Sequence, residues 1–78
     1  MTEKKIKFKG MNLMDDVKMF VNIVSKQEYD IDIASGRYVV DAKSIMGLFS
    51  LDLSTVLDLI IHSDNCDDLL SELAKFIV

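Results

Sequence analysis

The sequence predicts an α+β fold in which three helices cover one face of a four-stranded antiparallel sheet. Two periodicities and their order carry this prediction. In some short runs apolar and polar residues alternate, as in a strand with one buried face; in others apolar residues recur every three to four positions, as along a helix with one apolar stripe. The runs succeed one another as β-α-β-β-α-β-α. Each strand buries one face and each helix one stripe, so the economical packing sets the helices on one side of the sheet. At 78 residues, 50% of them hydrophobic, the chain has room for one domain, taken as 1–78. A core this small must be nearly continuous to offset chain entropy.

Residues 4–9 read Lys-Lys-Ile-Lys-Phe-Lys, with Ile6 and Phe8 on one face and lysines between, and form the first strand. From Asn12 the period lengthens, and Leu13, Val17, Phe20, Val21 and Val24 fall on one helix stripe. Asn12 is the expected N-cap, and Asp15 and Asp16 put negative charge in the first turn, where the helix dipole favours it. Residues 29–34 alternate again, with Tyr29, Ile31 and Ile33 together on one face. Ser35-Gly36 then supplies the positive-φ residue of a tight hairpin, and the chain returns from Arg37 to Ala42. Ser44 caps a short helix that ends near Leu51. The fourth strand runs from Val56 to His62 with Leu57, Leu59 and Ile61 inward. Asp64-Asn65 is the expected cap of a last helix carrying Leu69, Leu70, Leu73 and Ile77 on one stripe. Without that helix, the string also fits a ferredoxin-like fold.

Composition excludes several functions. Cys66 is the only cysteine, so no internal disulfide holds the fold, which suits a reducing cytoplasm. No apolar run approaches the roughly 20 residues a membrane helix needs, and a soluble, cytoplasmic protein is expected. Nine basic and thirteen acidic residues give a net charge of −4, concentrated in the second half. Direct nucleic-acid binding needs clustered cations, and the one lysine cluster alternates along a strand. His62, Asp64, Cys66, Asp67 and Asp68 follow no zinc-ligand spacing, so no metal or cofactor is expected. Cys66 has no base at nucleophile spacing, and its flanking aspartates oppose a thiolate.

The segment Asp41-Ala42-Lys43-Ser44-Ile45-Met46-Gly47-Leu48 resembles the Lys-Ser-Ile-Met-Gly signature of HPr, the histidine phosphocarrier family of the bacterial sugar phosphotransferase system. The resemblance extends from Ser25-Lys26 through the Gly36 hairpin to Ser50-Leu51 without a gap, and the element order is the family's. It implies an HPr-like open-faced β-sandwich with sheet order 1-4-2-3. It also implies a phosphoacceptor His at the start of the first helix, in a His-Ala-Arg-Pro sequence. In register, Leu13, Met14, Asp15 and Asp16 stand there instead, after a loop, Lys9-Gly10-Met11, a couple of residues short. Leu13 offers no nucleophile, and Asp15 takes the place of the cation that would neutralise the transferring group. Like charges about 5 Å apart at an effective dielectric near 20 repel by about 3 kcal/mol. Catalysis by the family mechanism is therefore expected to be absent. The lone His62 lies by register at the end of the fourth strand, apart from that helix start.

What the resemblance leaves is regulation and docking. The serine matching Ser44 is phosphorylated in HPr proteins of low-GC Gram-positive bacteria, and a helix N-cap suits a phosphate; the other reading of Ser44 is a cap alone. The family's docking patch maps onto Met14, Lys43, Ile45, Met46, Gly47 and Phe49, with Leu13 either enlarging it or belonging to the core. The expected function is a non-catalytic regulatory or docking protein, similar in logic to the catabolite-repression HPr homologue. Its expected partners are proteins that recognise the HPr surface: a carbon-control regulator, an HPr kinase or a metabolic enzyme. The alternatives are a phosphocarrier using a non-family acceptor, and a structural subunit that kept only the fold. The oligomeric state stays open.

Overall fold

The computed structural model describes residues 1–78. Its elements are β1 (Thr2–Ile6), α1 (Leu13–Ser25), β2 (Ile31–Ser35), β3 (Tyr38–Asp41), α2 (Ile45–Phe49), β4 (Leu57–Ile61) and α3 (Asp67–Glu72). The four strands form one antiparallel sheet in the order β1-β4-β2-β3, which is the HPr-like order and not a ferredoxin-like one.

Strand parity decides which side of the sheet is covered. Ile6, Ile31, Ile33, Leu57, Leu59 and Ile61 are buried on one face, where they join Val17, Phe20 and Val24 of α1, Leu48 of α2 and Leu69 of α3. The other face carries Glu3, Lys5, Asp32, Asp58 and Asp41 at the intervening register positions, with Lys5 paired to Asp58. This division is the one the alternating runs require. At one end of the core Phe8, Phe20 and Phe76 meet edge to face, with centroids 5.4 to 5.6 Å apart. These rings tie the loop after β1, α1 and the carboxyl-terminal segment together.

Gly36 has φ +60 and Arg37 a negative φ, the pattern of a type II′ turn, which matches strand twist in a two-residue hairpin. Ser35 and Tyr38 are paired across it.

Several boundaries differ from the sequence reading. The first strand is 2–6 and not 4–9, because the chain leaves the sheet after Ile6 to bury Phe8 in the ring cluster. The carboxyl terminus then lines the outer edge of β1: Lys7 N donates to Phe76 O, Val78 N donates to Lys5 O, and Ile6 bridges Ile77. The second strand starts at Ile31, since the Tyr29 carbonyl is turned toward the Lys43 ammonium. The expected cap Asp64-Asn65 is not used: Asp64 binds the chain's own terminal ammonium, Asn65 N donates to Ser63 Oγ, and Cys66 begins α3 without a side-chain cap. Because α3 ends at Glu72 and the chain turns, Phe76 is fully buried and Ile77 only partly.

Candidate functional site

The starts of α1 and α2 are the candidate site. Asn12, extended at φ −115, precedes α1, and its Oδ1 accepts from Asp15 N at 3.2 Å. Ser44, at φ −101, precedes α2, and its Oγ accepts from Gly47 N at 3.1 Å. Both caps fall where the residue types predict, because short polar side chains reach the free amides of a first helical turn. Gly47 serves this second contact in another way: a Cβ there would come within 3.3 Å of both Ser44 Oγ and Val40 Cβ, so its absence lets the capped turn lie close on β3.

The two starts differ in charge. The first turn of α1 carries Asp15 and Asp16, whereas that of α2 carries no acidic residue. Asp16 also does something its sequence position did not announce. Its Oδ2 accepts from Gly10 N at 2.8 Å, and a Cβ at Gly10 would overlap that carboxylate at 2.0 Å. The short loop before α1 is therefore folded back over its own first turn, which fixes how α1 enters.

Around these starts the surface is apolar. Leu13 is 39% exposed, Met14 55%, Met46 79% and Phe49 41%, while Ile45 is half buried against the core. Leu13 therefore lies outside the core although it continues the stripe of Val17, Phe20 and Val24. Met11, missed in the sequence reading, is fully exposed immediately before the cap. A flexible methionine in a short loop, directly before the capping Asn12, was the available signal. α1 and α2 pack against each other, so the exposed residues belong to one layer on the covered side of the sheet.

Lys43 is placed differently from the other residues singled out. Its ammonium donates to the carbonyls of Gln27 and Tyr29 at 2.8 and 2.9 Å, in a half-buried position. That ties the segment after α1 to the start of α2 and turns the charge inward. His62 stands at the end of β4 on the uncovered side, with Nε2 2.9 Å from Asp32 Oδ2. Cys66 is buried, with Sγ 3.4 Å from Thr2 Oγ1. No three His, Cys, Asp or Glu residues are grouped to hold a metal ion, and no helix is long and apolar enough to cross a membrane.

Burial raises the Tyr29 phenol above its ordinary range, with smaller contributions from Cys66 and Asp68. Asp52, just beyond α2, is lowered by the hydroxyl and then the amide of Ser54, at 2.6 and 3.1 Å.

Residues 16–78 match the family model described as the PTS HPr component phosphorylation site. The match begins inside the first turn of α1, after Leu13, Met14 and Asp15. Among solved structures, the chain is similar to HPr-C-His from Thermoanaerobacter tengcongensis, with 30% identity and a TM-score of 0.79 over 96% of this chain and 89% of that one. It shares its fold with a phosphocarrier protein HPr from Bacillus anthracis, at 24% identity, 99% and 96% coverage and TM-score 0.73. It also shares it with the histidine-containing phosphocarrier protein of a mycoplasma, at 17% identity, 95% and 86% coverage and TM-score 0.68. No curated protein sequence matches the chain.

Proposed function

The chain belongs to the HPr family of the phosphotransferase system, and from that premise we propose that it is a non-catalytic docking protein of that system, switched by phosphorylation of Ser44. It acts as a single cytoplasmic domain. The observation that carries the reading is the contrast between the two helix starts. At α1, Leu13 stands where the resemblance in register would put the family's acceptor, and two carboxylates follow it in the first turn; at α2 a capped hydroxyl stands in a turn without acidic residues.

The physical argument is one of charge. A phosphoryl group arriving at α1 would meet Asp15 and Asp16, and Leu13 has no atom to receive it. A phosphate on Ser44 would extend an acceptor already directed at the free amides of α2, where the helix dipole favours negative charge. The exposed Met11, Leu13, Met14, Met46 and Phe49 give partners an apolar surface beside that switch. The partners are proteins that recognise the HPr surface: a carbon-control regulator, an HPr kinase or a metabolic enzyme. Met14, Ile45, Met46, Gly47 and Phe49 belong to that surface, while Lys43 supports it from beneath.

A second reading rests on His62. Its Nε2 is held by Asp32 and its ring is exposed, so it is the one imidazole that could take phosphate. It sits on the sheet face opposite the helices, away from the surface by which a family partner would dock.

Intact mass after two incubations separates these readings. With ATP and an HPr kinase, one acid-stable phosphate is expected, lost in Ser44→Ala. With phosphoenolpyruvate and the general phosphotransferase enzyme, none is expected. An acid-labile phosphate in the second reaction, removed by His62→Ala, would make the protein a carrier. No phosphate in either would leave a constitutive docking module or subunit.

A further inference from the structure

The two edges of the sheet are treated differently by the rest of the chain. The outer edge of β1 is lined by the carboxyl-terminal residues, which bond to Lys5 and Lys7, and its own sequence is rich in lysine. Both devices keep a strand edge from pairing with another chain. β3 has neither. It is an edge strand with no proline, no lysine and no segment over it, and Tyr38 and Val39 are 67% and 60% exposed.

The register shows which backbone groups this edge offers. The hairpin pairs Ser35 with Tyr38, and Ala42 N donates to Ile31 O, so even-numbered residues bond inward to β2. The amide and carbonyl of Val39 therefore point out of the sheet. If a second copy pairs antiparallel about Val39, each Val39 exchanges two backbone bonds with its counterpart. Tyr38 then faces Val40 of the second copy, and Arg37 takes the register position opposite Asp41 of the second copy, twice over by symmetry.

The charges fit that arrangement and no intramolecular one. Neither Arg37 nor Asp41 makes an ion pair within the chain. Asp41 lies directly opposite Asp32 across β2 and β3, a like-charge pair. Asp32 has His62, whereas the carboxylate of Asp41 has only the Lys43 amide. A cation beside Asp41 is what this row of the sheet lacks, and the two-fold supplies it.

We propose that β3 is a self-association edge, and that two copies of this chain join through it into a continuous eight-stranded sheet with Arg37 of each beside Asp41 of the other. The inference stands apart from the helix starts, since it uses the backbone edge of β3, Arg37 and Asp41 and no residue of α1 or α2. The contact is short, and the net charge of −4 per chain opposes it, so association is expected near the top of the micromolar range, with dimer evident at about 1 mM.

Sedimentation velocity from low micromolar to about 1 mM, with amide exchange at Val39 alongside, tests it. Doubling of mass with slowed exchange at Val39 is expected. Val39→Pro removes only the outward amide and should keep the circular dichroism of the native chain while abolishing the dimer. Arg37→Asp should weaken the dimer about tenfold or more by setting like charges opposite, and Arg37→Asp with Asp41→Arg should restore it. A single monomeric species throughout, or a dimer unaffected by Val39→Pro and by Arg37→Asp, would overturn the proposal.

Discussion

Asn12 and Ser44 do the same work at the starts of α1 and α2, each lending a side-chain oxygen to an amide three residues on. What surrounds them differs. At α1 an aliphatic side chain and two carboxylates follow the cap; at α2 an isoleucine, a methionine and a glycine do. Capping is a backbone requirement that any helix start must meet, and it is met equally at both. The charge of the first turn is free to vary, and on the proposed reading it sets which start would tolerate phosphate. The two starts are thus chemically unlike without being structurally unlike.

The largest effect should come from reversing that charge. In Leu13→His, phosphate uptake from phosphoenolpyruvate through the general phosphotransferase enzyme should stay slow, because Asp15 repels the incoming group. Adding Asp15→Arg should raise the rate about a hundredfold, the equivalent of about 3 kcal/mol, measured by intact mass against time. Equal rates for the single and double variants would break the comparison. Asp16 is left in place because it holds Gly10.

Partner contact comes next. Phe49→Glu should reduce Ser44 phosphorylation by an HPr kinase at least tenfold, roughly the loss of one anchoring residue in an interface. Since Phe49 is exposed, thermal unfolding should barely move. A fold-supporting role is expected instead of Lys43: Lys43→Met strands the carbonyls of Gln27 and Tyr29 and should cost about 2 kcal/mol in urea denaturation.

Smaller again are the caps. Ser44→Ala and Asn12→Ala should each cost about 1 kcal/mol, and near equality would sharpen the claim that the two starts are alike in backbone terms. The smallest effect concerns Asp52, at the far side of α2. Its folded-state pKa lies below the ordinary value, so its contribution is present above that value and is lost as pH falls through the lowered one. Wild type and Ser54→Ala should therefore differ slightly in stability at neutral pH and converge in acid below the ordinary carboxylate range. A difference that grows in acid would contradict the assignment.

Most of the fold was legible because its signals are periodic. Alternation placed Ile31, Ile33, Leu57, Leu59 and Ile61 on one face, the lengthened period placed Val17, Phe20 and Val24 on one stripe, and Asn12, Gly36 and Ser44 stand where backbone chemistry demands them. The site was legible in its residue types but less so in their attachments. Lys43 reads as a surface cation beside Ser44, yet its ammonium is consumed by carbonyls 16 and 14 residues away. Leu13 reads equally as core or surface, and only the folded chain shows that it stays outside the core.

The amino-acid sequence by itself determined the number, order and buried faces of the elements and the two helix caps, since each depends on residue type and on neighbours within a turn or two. Tertiary structure alone decided where the carboxyl terminus runs, that Asp64 meets the terminal ammonium and not α3, that Asp16 closes over Gly10, and which sheet edge is left bare. Such contacts join groups distant in the chain or exposed at a loop. Their formation depends on how packed layers bring polar atoms within reach, a geometry that no local period encodes.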